Sequence, residues 1–448
     1  MIQTPYPVEN ELGLSWYMTD QPGIGGVLRS NPEDFHVEEI STHQYTDGKY
    51  LICKLTKRNW DQQRAVKEIA KRLHISAKRI GFSGTKDKSA VTTQYISLYD
   101  VTYEAVNSLF ITDMQITPCG YMQRPLSLGE LDGNRFHITV RDLAYTDDDT
   151  KELMAHIDNI SSGARSGIPN YFGIQRFGVK RPITHKVGFE ILKQNYEEAV
   201  AVFVGEASSY ELQETQDARR DYYTSRDPKA ALRDLPMQLS LERSILYHLE
   251  KHPTEYLEAL CVLPKTLRSM FVGAVQSWFF NLTLSARLAD GRGLLPGVGD
   301  RVLLTDGRFD VVSKRTQPMV MTQIKRGRIE PALFMPGSLE YSVEGRDDEV
   351  MADLMRNHGF DSAAFKEASR AIGMPFDGAV RSTLLTADVT ATLCEKAEKK
   401  PDITNSLHLP DESHPDTQAV TFSFALGPGK YATTVLREYM KTDPLHMA

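Results

Sequence analysis

The stretch Gly84-Thr85-Lys86-Asp87-Lys88-Ser89-Ala90-Val91-Thr92-Thr93-Gln94 sets one carboxylate between two lysines, in a loop that runs into a strand. Flanking cations favour the charged form of a carboxylate, so such an aspartate is ionised at neutral pH. An ionised carboxylate beside a bound substrate can act as a nucleophile or as a metal ligand. The plain alternative is an aspartate that caps a turn. Lysines on both sides repel a divalent cation, and no partner carboxylate lies within the motif. A metal-dependent nuclease is therefore the weaker chemical reading, and no metal is expected.

Other candidate constellations fall away. His248 and His252 are four apart on an expected helix, but Glu250 stands one place too late for H-E-x-x-H. Gly427-Pro428-Gly429-Lys430-Tyr431 lacks the earlier glycine of a phosphate loop. It also has Tyr431 where Ser or Thr would hold magnesium. There is no G-x-G-x-x-G after a strand and no G-x-S-x-G, so neither a nucleotide cofactor nor serine hydrolysis is expected. The cysteines Cys53, Cys119, Cys261 and Cys394 form no C-x-x-C, which argues against a zinc ribbon or a small disulfide framework.

The elements that position Asp87 follow from periodicity. Residues 26–41 and 49–56 read as strands, with Phe35, Val37 and Glu39 alternating with His36, Glu38 and Ile40. Residues 61–73 read as a helix, because Val66, Ile69, Ala70 and Leu73 share one face. Its other face carries Arg64, Lys67, Lys71 and Arg72. Thr92 to Leu98, Phe136 to Val140 and Thr421 to Leu426 read as further strands. From Val187 onward helical spacing dominates, most clearly over about 265–288. Short strands are expected from Gly297 to about Ile324, helix over 340–400, and a loop or linker over 401–416. Strands at both ends of the chain around a helical block indicate an α+β domain that carries an inserted domain.

The chain has 448 residues, 41% hydrophobic and 25% charged, which is ordinary globular usage and rules out disorder. No apolar run approaches the roughly 18 residues of a membrane span. Met1 to Pro5 has neither the basic start nor the apolar stretch of a secretory signal. The expectation is a soluble cytoplasmic protein. The net charge of −7 argues weakly against nucleic acid, yet residues 51–90 hold eleven Lys/Arg against three acids. A local cluster of this kind attracts phosphates whatever the total charge. Lys325-Arg326-Gly327-Arg328 is a second basic run.

These residues together resemble one family, the TruD-type tRNA pseudouridine synthases. The loop around Asp87 is similar to the family's G-x-K-D-K/R-x-A-x-T-x-Q motif, in which the aspartate is the nucleophile. Leu28 to Glu39 resembles its N-terminal motif, and Leu131-Asp132-Gly133-Asn134-Arg135-Phe136 its G-N-x-F motif. Ile168 to Gly178 matches its P-N-Y-F-G-x-Q-R-F-G signature, and Leu426 to Glu438 resembles its C-terminal motif. Five motifs in order span about residues 28–438. The stretch from about 180 to 390 matches more weakly and is placed by position.

The resemblance implies a pseudouridine synthase core with a mixed central sheet flanked by helices, made from 1–167 and 390–448, with an inserted α/β TRUD domain over 168–389. It implies an isomerase acting on tRNA, with the uridine at position 13 as the default target and RNA lying in the cleft between core and insert. It gives Asp87 as nucleophile and Arg29 as its basic partner. Phe136 is implied as the platform for the everted base, and Asn134 as a hydrogen-bonding group near aspartate or substrate. Phe35, Tyr431 and Lys86 are expected to contact substrate. Phenylalanine at 136 replaces the tyrosine of other pseudouridine synthases and so removes one proton acceptor. Whether Asp87 attacks C1′ or C6 is open at this level. Asn170, Tyr171, Gln175 and Arg176 read as bracing rather than RNA contact. The rival reading is a non-catalytic RNA-binding protein or RNA chaperone, against which the intact Lys86-Asp87-Lys88 and Gly133-Asn134 stand.

Overall fold

A computed structural model describes residues 1–145, 147–394 and 418–447. The expected linker over 401–416 lies outside the described residues. The chain divides into two compact units, one of residues 21–166 and 386–448, the other of 1–20 and 167–385.

The first unit is built on a nine-stranded sheet among the described residues. Its strands are β1 (Gly25–Leu28), β2 (Phe35–Ile40), β3 (Tyr50–Arg58), β4 (Ile80–Phe82), β5 (Val91–Tyr99), β6 (Met114–Met122), β7 (Gly133–Leu143), β8 (Thr390–Leu393) and β9 (Gln418–Leu426). The order is β8-β9-β7-β2-β5-β3-β6, with β1 on β7 and β4 on β5. β2 and β5 run parallel, and the other pairs are antiparallel, so the sheet is mixed.

Strand alternation decides which side chains go inside. In β2, Phe35, Val37 and Glu39 are buried while His36, Glu38 and Ile40 are half-buried. In β3, Leu51, Cys53 and Leu55 face α1 (Gln62–Arg72), whose Val66, Ile69 and Ala70 join them in one core. Fully burying a side chain such as Ile69 contributes about 1.5–3 kcal/mol. Asp61 caps α1 by accepting from the Arg64 backbone N–H at 3.0 Å. Arg64, Lys67, Lys71 and Arg72 remain exposed on the other face. Two further helices, α2 (Thr150–Ala164) and α3 (Ala432–Met440), meet through Ser161 and Tyr439, whose hydroxyls lie 3.0 Å apart.

The second unit is mainly helical around Lys265–Ala289, with a four-stranded sheet of Phe309–Val311, Arg301–Leu304, Ile329–Met335 and Ala379–Ser382. The 168–178 signature braces this unit. Asn170 Nδ2 donates to Ser382 O at 2.9 Å, Tyr171 Oη meets Ser285 Oγ at 2.7 Å, and Arg176 Nε donates to Ser277 Oγ at 3.2 Å. The sequence reading placed residues 1–20 with the core. In the structure they pack with the second unit, where Trp278 Nε1 donates to Glu11 O at 2.8 Å and Leu12 and Leu14 are buried.

Three expectations about elements are corrected. Residues 340–400 are not helical throughout, because Ala379–Ser382, Leu384–Leu385 and Thr390–Leu393 are strands. They are short, and their partners lie far away in sequence, so local spacing carries little of their signal. Gln317–Lys325 is a helix rather than a strand, with Pro318 in the first turn where proline suits a helix start. The strand reading of 26–41 is interrupted by a 3-10 turn at Pro32–Asp34. No described helix is long and apolar enough to cross a membrane.

Candidate active site

Asp87 stands at the apex of the loop between β4 and β5, and its side chain is 58% exposed. Arg29 Nη2 donates to its Oδ2 at 2.6 Å. The charge-assisted bond holds one carboxylate oxygen. Oδ1 makes no hydrogen bond among the described residues. Arg29 follows β1 with a φ of 59°, a left-handed conformation that costs a non-glycine residue energy and recurs at functional sites. The next residues explain how it is held. Asn31 and Asp34 form a reciprocal cap, and Arg141 Nε donates to the buried Asp34 at 2.9 Å. The guanidinium of Arg29 lies 4.1 Å from the centroid of the Phe35 ring.

Strand register brings the other residues to the same face. Glu39 pairs with Asn134, and Val37 with Phe136. On the far side of β7, Phe136 pairs with Phe424 and Asn134 with Leu426. Residues directly opposite on paired strands share a face. The Phe136 ring stacks on Phe424 at 5.5 Å and 29°. Gly133 has no side chain because a Cβ there would collide with the Leu426 carbonyl. That close approach explains the glycine before Asn134. The Oδ1 of Asn134 is buried and without a hydrogen-bond partner. Leaving a buried acceptor unpaired costs about 1–3 kcal/mol, so this atom marks a place for an incoming donor.

Lys86, expected to touch substrate, turns inward. Its side chain is 6% exposed, and Nζ donates to Glu39 Oε2 at 3.1 Å, the Glu39 side chain being fully buried. Ser41 Oγ donates to the other oxygen of Glu39 at 3.0 Å. Lys88 is exposed. Tyr431, half-exposed, precedes α3 and lies five residues beyond Leu426, the partner of Asn134. Phe35 and Phe136 are both buried.

Sequence reasoning missed Glu39 and Lys57. The Lys57 side chain lies beneath the loop, with Nζ donating to Trp60 O at 2.7 Å and to Asp87 O at 2.9 Å. Burial pulls its ammonium down to about 8, against the attraction of Asp87 and Asp61. A usable signal was present. Glu39 continues the inward series Phe35, Val37, and Lys57 continues Leu51, Cys53, Leu55. A charge on the inward face of a strand needs a partner.

The sequence model of the family "tRNA pseudouridine synthase D (TruD)" matches residues 11–439. A protein of Methanococcoides burtonii named probable tRNA pseudouridine synthase D is 36% identical, across 98% of this chain and 99% of that one. One of Archaeoglobus fulgidus with the same name is 35% identical, across 97% of this chain and 100% of that one. The crystal structure of a putative TruD of Methanosarcina mazei superposes with a TM-score of 0.81 at 33% identity, covering 98% of this chain and 99% of that one. The chain belongs to the tRNA pseudouridine synthase D family.

Proposed function

We propose that this protein isomerises a uridine of tRNA, the one at position 13, to pseudouridine, with Asp87 as nucleophile. The reaction breaks the C1′–N1 bond, turns the base and joins C1′ to C5; the C5 proton leaves and N1, freed from the sugar, takes one up. The atoms of the nucleoside are conserved, so the step needs neither a redox carrier nor an energy donor. The observation that carries the reading is the Asp87 carboxylate itself, open to solvent and held through one oxygen by Arg29.

Each neighbour then has a task. Arg29 fixes the carboxylate and keeps a positive charge beside it. The target base leaves its stack and enters the site. Phe136, backed by Phe424, gives it a surface, and stacking of this kind contributes about 1–3 kcal/mol per base. The N3–H of uracil is a donor that matches the unpaired Asn134 Oδ1. Phe35 supports Arg29 from below, and Tyr431 closes the substrate side. Lys86 acts through Glu39, setting the charge of the wall rather than touching RNA. Outside the pocket, Arg64, Lys67 and Lys71 on α1 offer the phosphate contacts.

The test is pseudouridine mapping of total RNA from cells with and without the gene, followed by purified protein and a transcript of the mapped tRNA. Pseudouridine at position 13 that depends on the protein is the expected result. Binding of tRNA with no pseudouridine formed would instead favour a non-catalytic RNA-binding protein.

A further inference from the structure

Lys57 is the only lysine of the described residues with a fully buried residue surface, and it lies on β3, paired on both sides, between β5 and β6. A buried ammonium is costly unless its donors are satisfied. Its three acceptors are the carbonyls of Trp60, Asp87 and, at the longer distance of 3.5 Å, Lys86. The Lys86 carbonyl belongs to the peptide that enters Asp87, and the Asp87 carbonyl to the peptide that leaves it. One interior cation therefore ties both peptide planes that flank the Asp87 Cα. The layer around it is polar. Thr92, directly opposite Lys57 in the ladder, and Gln94, next on that face, are fully buried, and Thr92 Oγ1 and both amide atoms of Gln94 lack partners.

We propose that Lys57 is a positioning residue, whose ammonium fixes the two peptide groups around Asp87 and thereby aims the carboxylate at the reacting carbon. Arg29 holds the side chain from outside, and Lys57 holds the backbone from inside. The inference rests on Asp87 being the nucleophile. The charged groups that face Lys57 are Asp87 and Lys86 on the loop and Asp61 at the head of α1.

The experiment compares single-turnover rate, tRNA affinity and melting temperature for wild type, Lys57→Met, Lys57→Arg and Asp87→Asn. Displacing a reacting group by about 1 Å lowers a rate by about 100-fold, which is the loss expected for Lys57→Met. Its tRNA Kd should stay within about twofold, and Lys57→Arg should recover about tenfold of the rate, on the same argument that partial placement is restored. A Met variant with the wild-type rate overturns the proposal. So does a loss that follows affinity or folded fraction, or an Arg variant no faster than Met.

If the Met variant does not fold, the pH profile decides. Wild-type rate should fall above about pH 8 as Lys57 loses its proton. In Lys57→Arg that limb should vanish, since arginine keeps its charge. Between about 8 and the ordinary lysine value of 10.5, the unfolded chain holds the proton longer, so this group's contribution to fold stability grows. Deprotonation of Lys57 therefore does not itself unfold the protein there, and the folded fraction is followed alongside the rate. A flat wild-type profile, or a limb retained in a folded Arg variant, overturns the proposal. If neither variant folds, the wild-type profile alone decides, a fall near pH 8 at unchanged tRNA affinity supporting it. Turnover by Asp87→Asn would instead sink the nucleophile assignment on which it stands.

Discussion

Two regions of the molecule set arginines against carboxylates, and they do so to opposite ends. At the loop between β4 and β5, Arg29 holds Asp87 through one oxygen, and the aspartate side chain stays 58% exposed. In the interior of the other unit, Arg287 meets Asp300 at 2.7 Å and Asp347 at 2.5 Å, and Arg301 meets Asp348 at 2.9 Å. The carboxylates of Asp347 and Asp348 are buried there, and burial raises the Asp347 carboxyl despite its arginine neighbours. An arginine–carboxylate pair closed on all sides is a device of the fold. The Asp87 pair differs in that one carboxylate oxygen is left open and the backbone at Arg29 is held in an uncommon conformation.

The sharpest way to break this contrast is to neutralise one carboxylate in each region. Asp87→Asn should lower single-turnover pseudouridine formation by at least about 10⁴-fold, the scale on which removing a nucleophile acts. As an exposed substitution, it should leave stability within about 0.5 kcal/mol. Asp348→Asn should do the reverse. It leaves the buried Arg301 without its carboxylate partner, which costs about 3–5 kcal/mol in urea unfolding. The rate per folded molecule should not change. A stable Asp348→Asn, or an Asp87→Asn that unfolds, would erase the distinction between the two regions.

A smaller effect sharpens it. Asn134→Ala removes a buried oxygen that has no partner in the free protein. Loss of one hydrogen bond to the base should cost about 1–3 kcal/mol of transition-state stabilisation, about 5–150-fold in rate. Stability to urea should hold or rise, because an unpaired polar atom is gone. A drop in stability as large as that of Asp348→Asn would mean that Asn134 braces the fold.

How much of this could be read from sequence depends on how far each contact reaches. The Asp87 loop, the α1 stripe and the β2 alternation were legible because their signals are local. The Arg29 pairing was legible only through the family's motifs, since residues 29 and 87 meet by chain folding and not by spacing. Glu39 against Lys86, and Lys57 against the Asp87 carbonyl, are fixed by strand pairing across 47 and 30 residues. Their trace in sequence was a charge at the inward end of an apolar alternation. The helix at Gln317–Lys325 was misread for a related reason. Met319, Val320, Met321 and Ile324 serve a strand or a helix equally, and Pro318 settles the matter only when it is recognised as a first-turn residue.

The last and smallest contrast concerns protons. His185 sits in the unit of the closed charge cluster, and its ring packs on Phe177 at 5.4 Å and beside Trp278 at 6.4 Å. Burial, aided by Lys186, pushes it down to about 3 from an ordinary 6.5. The sign follows from linkage. Between those values the unfolded chain binds a proton that the folded chain refuses, so stability is full above about 6.5 and falls as the pH drops toward 3. The slope climbs from half of its limit of about 1.4 kcal/mol per pH unit, so acidification from 6.5 to 5 should remove about 1.6 kcal/mol. His185→Phe should flatten this limb in urea unfolding at several pH values. The Asp87 loop should show the mirror image, a rate that fails on the alkaline side as Lys57 loses its charge while the fold holds. An acid limb of stability that survives His185→Phe would place the responsible group elsewhere. The buried carboxyl of Asp347 cannot supply it, because a carboxyl raised by burial makes the folded chain bind the proton first and gives a slope of the opposite sign.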